Sequence, residues 1–228
     1  MPRHRRVSPD GFVQHIVNRG DHRETIFHKP SDFRAFLAVI AESAYRIPIR
    51  ILAYCIMRNH FHLVVWPQEG KALPAFMQLL MNTHINRYLR HYPPSSRGHI
   101  YQGRYANPLV ETGPALFRVI RYVEANALSA GLVTRAEYYK WSSVSPHAGD
   151  TGRPALAEWP IARPANWVQY VNTPTAADEW KKLQRSVRRG TPYGSDDWVE
   201  QVAAAHDLQS TLRRQGRPRL YETFVPTA

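Results

Sequence analysis

The chain has 228 residues, room for one generous domain or a domain with an appendage; 43% are hydrophobic, with 18 Pro and 12 Gly, a turn-rich globular composition rather than a disordered one. It carries 30 Lys and Arg against 18 Asp and Glu, a formal charge of +12, which points to a polyanionic partner, nucleic acid first. A membrane fits less well: no apolar run reaches the about 18 residues of a span, no long basic amphipathic helix stands out, and the basic start "MPRHRRVSPDG" lacks the apolar stretch of a secretory signal.

In chain order, "GFVQHIVNRG" alternates and ends at Gly20, predicting a first strand closed by a turn. From Ser31 an N-cap candidate precedes a helical stripe of Phe33, Phe36, Leu37, Ile40, Ala41 and Ala44. Residues 51–66 are almost wholly apolar and lack Gly and Pro, so they read as two strands broken at Arg58-Asn59, where Asn tolerates unusual backbone angles. Cys55 lies inside this segment, has no partner for a disulfide within the chain, and reads as a small core residue in a reducing bacterial cytoplasm.

After Pro74, "AFMQLLMNTHINRYLRHY" predicts a second amphipathic helix, "PPSSRGH" a loop and "IYQGRYANPLVE" a strand or hairpin arm. A third helix is expected from about Pro114 through Ala127, ending near Gly131. The order β-α-β-β-α-β-α predicts an α+β fold, a ferredoxin-like antiparallel sheet with helices packed on one side. Beyond residue 150 the composition turns to "GDTGRP" and "WPIARPANW", then to helical stretches near 175–189 and 196–214 and a basic end, "RRQGRPRL". The expected division is a core domain over 1–150 and a helical, basic, DNA-binding region over 151–228. No internal repeat is visible.

The centre of the apolar strand pair reads "HFH". On a strand, His60 and His62 share a face and lie about 6.6 Å apart along the chain, while Phe61, Leu63 and Val65 face the other way. Two imidazoles so placed can hold one metal ion, or be a half-exposed pair with no ligand. The third helix places Tyr122 and Asn126 one turn apart beside a stripe of Leu116, Val119, Ile120, Val123 and Ala127. An ordinary boundary tyrosine would look the same.

Together these residues describe one reaction. The two imidazoles and the Asn126 oxygen would hold a divalent cation that polarises a DNA phosphate. Tyr122 would attack phosphorus, displacing a 3′-hydroxyl and leaving a 5′-phosphotyrosine. A tyrosine with an ordinary pKa near 10 needs a cation or base nearby, and Arg121 is a candidate.

Five segments then resemble a known family: "NRG" at 18–20, "YCIMRNHFHLVV" at 54–65, "QGRY" at 102–105, "RYVEANALSAGLV" at 121–133 and "WSS" at 141–143. Residues 10–148 resemble the REP-associated tyrosine transposases, members of the HUH endonucleases and relatives of the single-tyrosine transposases of small insertion sequences. The resemblance implies that His60 and His62 bind Mg²⁺ or Mn²⁺ with Asn126 beside them, that Tyr122 is the nucleophile, and that the substrate is single-stranded DNA near the hairpins of repetitive extragenic palindromes. Arg58, Ala127 and Ser129 stand where the family usually has Pro, Pro and Arg. The expected DNA contacts are Arg19, Arg104 and Arg121 of the quoted motifs, and Arg213, Arg214, Arg217 and Arg219 of the tail. No membrane and no obligatory protein partner are expected. Two other readings are a catalytically silent DNA or RNA binder of the same fold, and a metal-dependent hydrolase of small phosphoesters.

Overall fold

A computed structural model describes residues 6–92 and 99–213. The apolar run folds as a hairpin of β2 (Arg50–Met57) and β3 (His60–Trp66), whose turn is the Arg58-Asn59 pair. β1 (Val13–Arg19) pairs antiparallel with β3 on its other side, placing Val17 opposite His62 and Arg19 opposite His60. β4 (Leu109–Val110) closes the sheet, in the order β2-β3-β1-β4. The arm expected over 100–111 is thus mostly irregular, tied by bridges from Ala106 to Val17 of β1 and from Tyr101 to Gly20 just beyond it.

Helices α1 (Pro30–Arg46) and α2 (Ala72–His91) cover one face. There Phe36, Ile40, Phe76 and Leu80 meet Ile16 of β1 and Phe61, Leu63 and Val65, the β3 residues expected to turn away from the histidines. The other face is covered as well, which corrects the expectation of helices on one side only. α3 (Pro114–Glu124) and the short α4 (Asn126–Ser129) lie there, with α5 (Trp167–Asn172) and α6 (Ala177–Arg189). Leu116, Val119, Ile120, Trp167 and Leu183 pack on Val13, Leu52, Cys55 and Val64. The physical reason lies in β2 and β3, whose nearly continuous apolar sequence needs cover on both faces. A register shift between Ile51 and Ala53 turns Leu52 and Ala53 to the same side, which fits a bulge in β2.

Residues after 150 add to this packing. Tyr193 donates its N–H to Leu109 O and accepts from Glu111 N–H, adding a short parallel bridge to β4. α7 (Asp196–Ala205) packs Val202 and Ala203 on Leu109, joined by Leu208, which leads into α8 (Gln209–Leu212). Asp207, at φ 58°, separates the two helices within what reads as one stretch.

The "WSS" segment is structural. Ser143 donates to Glu124 Oε1 at 2.6 Å and accepts from Tyr54 N–H at 3.0 Å, while Trp167 Nε1 donates to Glu124 Oε2 at 2.6 Å. Glu124 is a wholly buried carboxyl, and burial raises its pKa against the pull of these two bonds. Ser143→Ala removes one bond from each of two buried groups and should cost about 1–3 kcal/mol. A thermal melt reads this as a lower Tm; an unchanged Tm would show that the Glu124 cluster contributes nothing at this point.

Candidate active site

β3 delivers both histidines to the face that α3 covers, since residues two apart on a strand share a face. His60 Nδ1 lies 2.7 Å from Asn59 Oδ1, and the carbonyl oxygen can only accept, so Nδ1 carries the proton and Nε2 keeps its lone pair. Asn59 is held in turn by donating Nδ2–H to Arg23 O at 2.9 Å. Asn59 therefore serves the turn through hydrogen bonds. It does not adopt the unusual backbone angles expected of it, because the non-glycine residues with positive φ among those described are His22, Arg23 and Asp207.

His62 Nδ1 lies 3.0 Å from Nε2 of His15, a buried residue of β1. Its Nε2 lies 3.3 Å from Asn126 Nδ2, and Asn126 also bonds His60. The free edges of the two imidazoles thus meet at one amide. Burial holds His15 down to about 3 and His60 down to about 4, with Arg19 adding to the effect at His60; burial and the other two rings hold His62 well below its ordinary value. All three are neutral at pH 7, the form in which an imidazole can ligate a metal.

Tyr122 completes the cluster. Its ring lies edge-on to His62 at 5.7 Å and to His15 at 5.8 Å, and Trp180 of α6 packs against it at 4.6 Å. It is only 7% exposed, and burial pushes its pKa up to about 12 while Arg19 pulls it down. His62 and Tyr122 open onto a cavity of about 1060 Å³ between β1, the 102–107 segment and α6. Eight of its lining residues are Lys or Arg and none is Asp or Glu, so its field favours an anion.

Arg19 and Arg104, two of the residues expected to contact DNA, line this cavity. Arg121 does not, and its expected roles are corrected: it is 6% exposed, donates to Thr175 Oγ1 at 2.7 Å and stacks on Tyr170 at 4.6 Å. Its neighbours come from fifty residues further on and cover the side of α3 where it stands. The cation that acts on Tyr122 is Arg19 instead. Arg213 is exposed, its carbonyl accepting from Arg189 Nη2. Arg214, Arg217 and Arg219 lie outside the described residues.

The remaining motifs position the site. Gly20 of "NRG" allows a close approach, since a Cβ there would stand 2.4 Å from Glu24 O. Asn18 reaches across to Gly103 O at 3.4 Å, tying "NRG" to "QGRY". His15 went unread in the sequence, although it occupies an inward position of an alternating strand.

Among the described residues no group of three or more His, Cys, Asp or Glu is placed to hold a metal. The donor set is the two Nε2 atoms and the Asn126 amide, and it fits a divalent cation once a half-turn of the amide exchanges Nδ2 for Oδ1. Two neutral nitrogens and one amide oxygen are a light ligand set, which leaves positions for phosphate oxygens and water.

The family model described as "Transposase IS200 like" matches residues 10–126, just over half of the chain. The chain belongs to the IS200-like transposase family. The match takes in the strand pair, the cavity-lining 102–107 segment and the helix of Tyr122, and it ends at Asn126. No curated protein matches this transposase. Solved structures similar to it include two transposases. One is a REP-associated tyrosine transposase bound to a REP hairpin, at 16% identity and a TM-score of 0.49, over 71% of this chain and 100% of the other. The second is described as a candidate transposase from Deinococcus radiodurans R1, at 14% identity and a TM-score of 0.38, over 58% of this chain and 96% of the other. Among the described residues of this transposase, no helix is long and apolar enough to cross a membrane.

Proposed function

We propose that this transposase cleaves and rejoins single-stranded DNA near hairpins by transesterification at Tyr122, as a REP-associated tyrosine transposase does. The observation that carries the reading is the meeting of His60, His62 and Asn126 beside Tyr122, at a cavity lined by basic and no acidic side chains. His60, His62 and Asn126 would hold Mg²⁺ or Mn²⁺, which when bound supplies a Lewis acid for a non-bridging phosphate oxygen.

The chain's own residues do the rest. Asn59 and His15 fix the two rings through their Nδ1 atoms, so that both Nε2 lone pairs point at the site. Arg19 draws the target phosphate in and favours the ionised tyrosine. The Tyr122 oxygen attacks phosphorus and forms an O–P bond as the bond from phosphorus to the 3′ oxygen breaks. The tyrosine proton ends on the departing oxygen, giving a free 3′-hydroxyl and a 5′-phosphotyrosine. The phosphodiester energy is kept in the new bond, so a later 3′-hydroxyl can reverse the step and join strands.

The test is to incubate the full chain and Mn²⁺ with oligonucleotides that fold into hairpins with single-stranded flanks, one end labelled. An adduct that survives SDS and carries the label when it is at the 3′ end is expected, because the tyrosine keeps the fragment downstream of the cut. Tight binding with no adduct under Mg²⁺ or Mn²⁺ would assign the chain to silent DNA binders.

A further inference from the structure

α6 lies outside the segment matched by the family model, yet it walls the cavity that holds Tyr122. Its sequence, "ADEWKKLQRSVRR", has two stripes. Leu183 and Ser186 are buried, and Leu183 joins the core beneath the sheet. Lys181, Gln184, Arg185 and Arg188, at the spacing i, i+3, i+4, i+7, are exposed and line the cavity. Four residues at that spacing form one face of a helix. Trp180, one residue before the stripe, packs on Tyr122 at 4.6 Å and fixes the stripe's start beside the nucleophile. From Lys181 to Arg188 the stripe runs about 10 Å away from it. Across the cavity stand Arg6, Arg19, Arg23 and Arg104, with Arg6 stacked 4.0 Å over Tyr105.

We propose that the face of α6 formed by Lys181, Arg185 and Arg188 is the second wall of a cleft for unpaired DNA, tracking the backbone of the single-stranded flank that leads into Tyr122. The inference rests on the reading of Tyr122 as the nucleophile. A two-sided basic groove with an aromatic ring among its linings is the arrangement that single strands use, while a duplex cannot sink its paired backbones to a tyrosine at a cavity floor. The existing partners of these cations are weak competitors. Lys181 meets Asp178 at 3.6 Å with both side chains largely exposed, and Arg185 reaches Leu212 O at 3.5 Å. Successive phosphates along the strand would replace these with charge-assisted bonds.

The experiment compares the full-length wild-type chain with the triple variant Lys181→Gln/Arg185→Gln/Arg188→Gln. Fluorescence anisotropy measures binding of a labelled hairpin with a single-stranded flank, and of the same hairpin blunt-ended, across a KCl series. Loss of three phosphate contacts should flatten the slope of log K against log salt by about 2 units for the flanked DNA, at about 0.7 per contact. The blunt hairpin should bind the variant and the wild type alike. Lys182→Gln, a residue of α6 paired with Asp196 at 3.2 Å and off the stripe, should behave as wild type. A slope unchanged for the flanked DNA overturns the proposal, and so does an equal loss for the blunt hairpin, which would make α6 a duplex contact. Because this readout needs no chemistry, a wild-type protein that forms no adduct would defeat the reading of Tyr122 alone and still leave the slope to judge α6.

Discussion

Tyr122→Phe abolishes the SDS-resistant adduct while folding and DNA binding persist. The substitution removes one oxygen and keeps the ring, and the ring is what the surroundings use: His15, His62 and Trp180 all contact Tyr122 through ring faces and edges. Binding rests on the Lys and Arg residues that line the cavity, none of which changes. The chemistry has no substitute at the site, so the rate of adduct formation should fall by at least about a thousandfold, as when a nucleophile is deleted. The other tyrosines near the motifs are poorly placed. Tyr101 points to the far face of the sheet, with its hydroxyl 2.6 Å from His84 Nδ1 and no place in the cavity lining. Tyr138 is 62% exposed and outside the cavity lining. Tyr105 lines the cavity but lies under the Arg6 guanidinium. Peptide mapping of a trapped adduct decides: a nucleotide on any of these three removes Tyr122 from its role.

The parts of this site that were legible in the sequence share one property, that local spacing determines them. His60 and His62 share a face because strands alternate, and the two-residue turn before them follows from the break in an apolar run. Tyr122 falls on the edge of α3 because the stripe from Leu116 to Val123 fixes the helix's rotation. What spacing cannot show is which distant segment arrives to cover each position. Arg121 and Tyr122 both stand off the stripe, yet Thr175 and Tyr170 close over one and the cavity opens at the other. Glu124 would pass for a surface carboxylate, but Ser143 and Trp167 reach it from 19 and 43 residues away and make it a buried acceptor. His15 is invisible for the same reason, because only the pairing of β1 with β3 brings it to His62.

That pairing sets up a graded series of substitutions in which position predicts size of effect. His62→Ala and His60→Ala would each remove one of the two imidazole donors of the proposed metal site, whose one further proposed donor is the Asn126 amide. Either should eliminate adduct formation at any accessible Mn²⁺ concentration and remove metal binding measured by calorimetry. Affinity for flanked hairpin DNA should stay within a few fold, since the basic lining is untouched. His15→Ala is different in kind. His15 touches His62 through the nitrogen that faces away from Asn126, so it orients the ring and holds its proton on Nδ1 rather than supplying a ligand. Losing such a partner costs about 10–100-fold in metal affinity, which added metal can recover. His15→Asn, which returns an acceptor on a shorter side chain, should recover part of the affinity. The metal titration separates the roles: curves for His15→Ala shift to higher Mn²⁺ and approach the wild-type plateau, while those for His62→Ala stay flat. If His15→Ala is as dead as His62→Ala at saturating Mn²⁺ with its Tm unchanged, His15 is itself a ligand or a proton acceptor for Tyr122, whose ring lies as close to it as to His62.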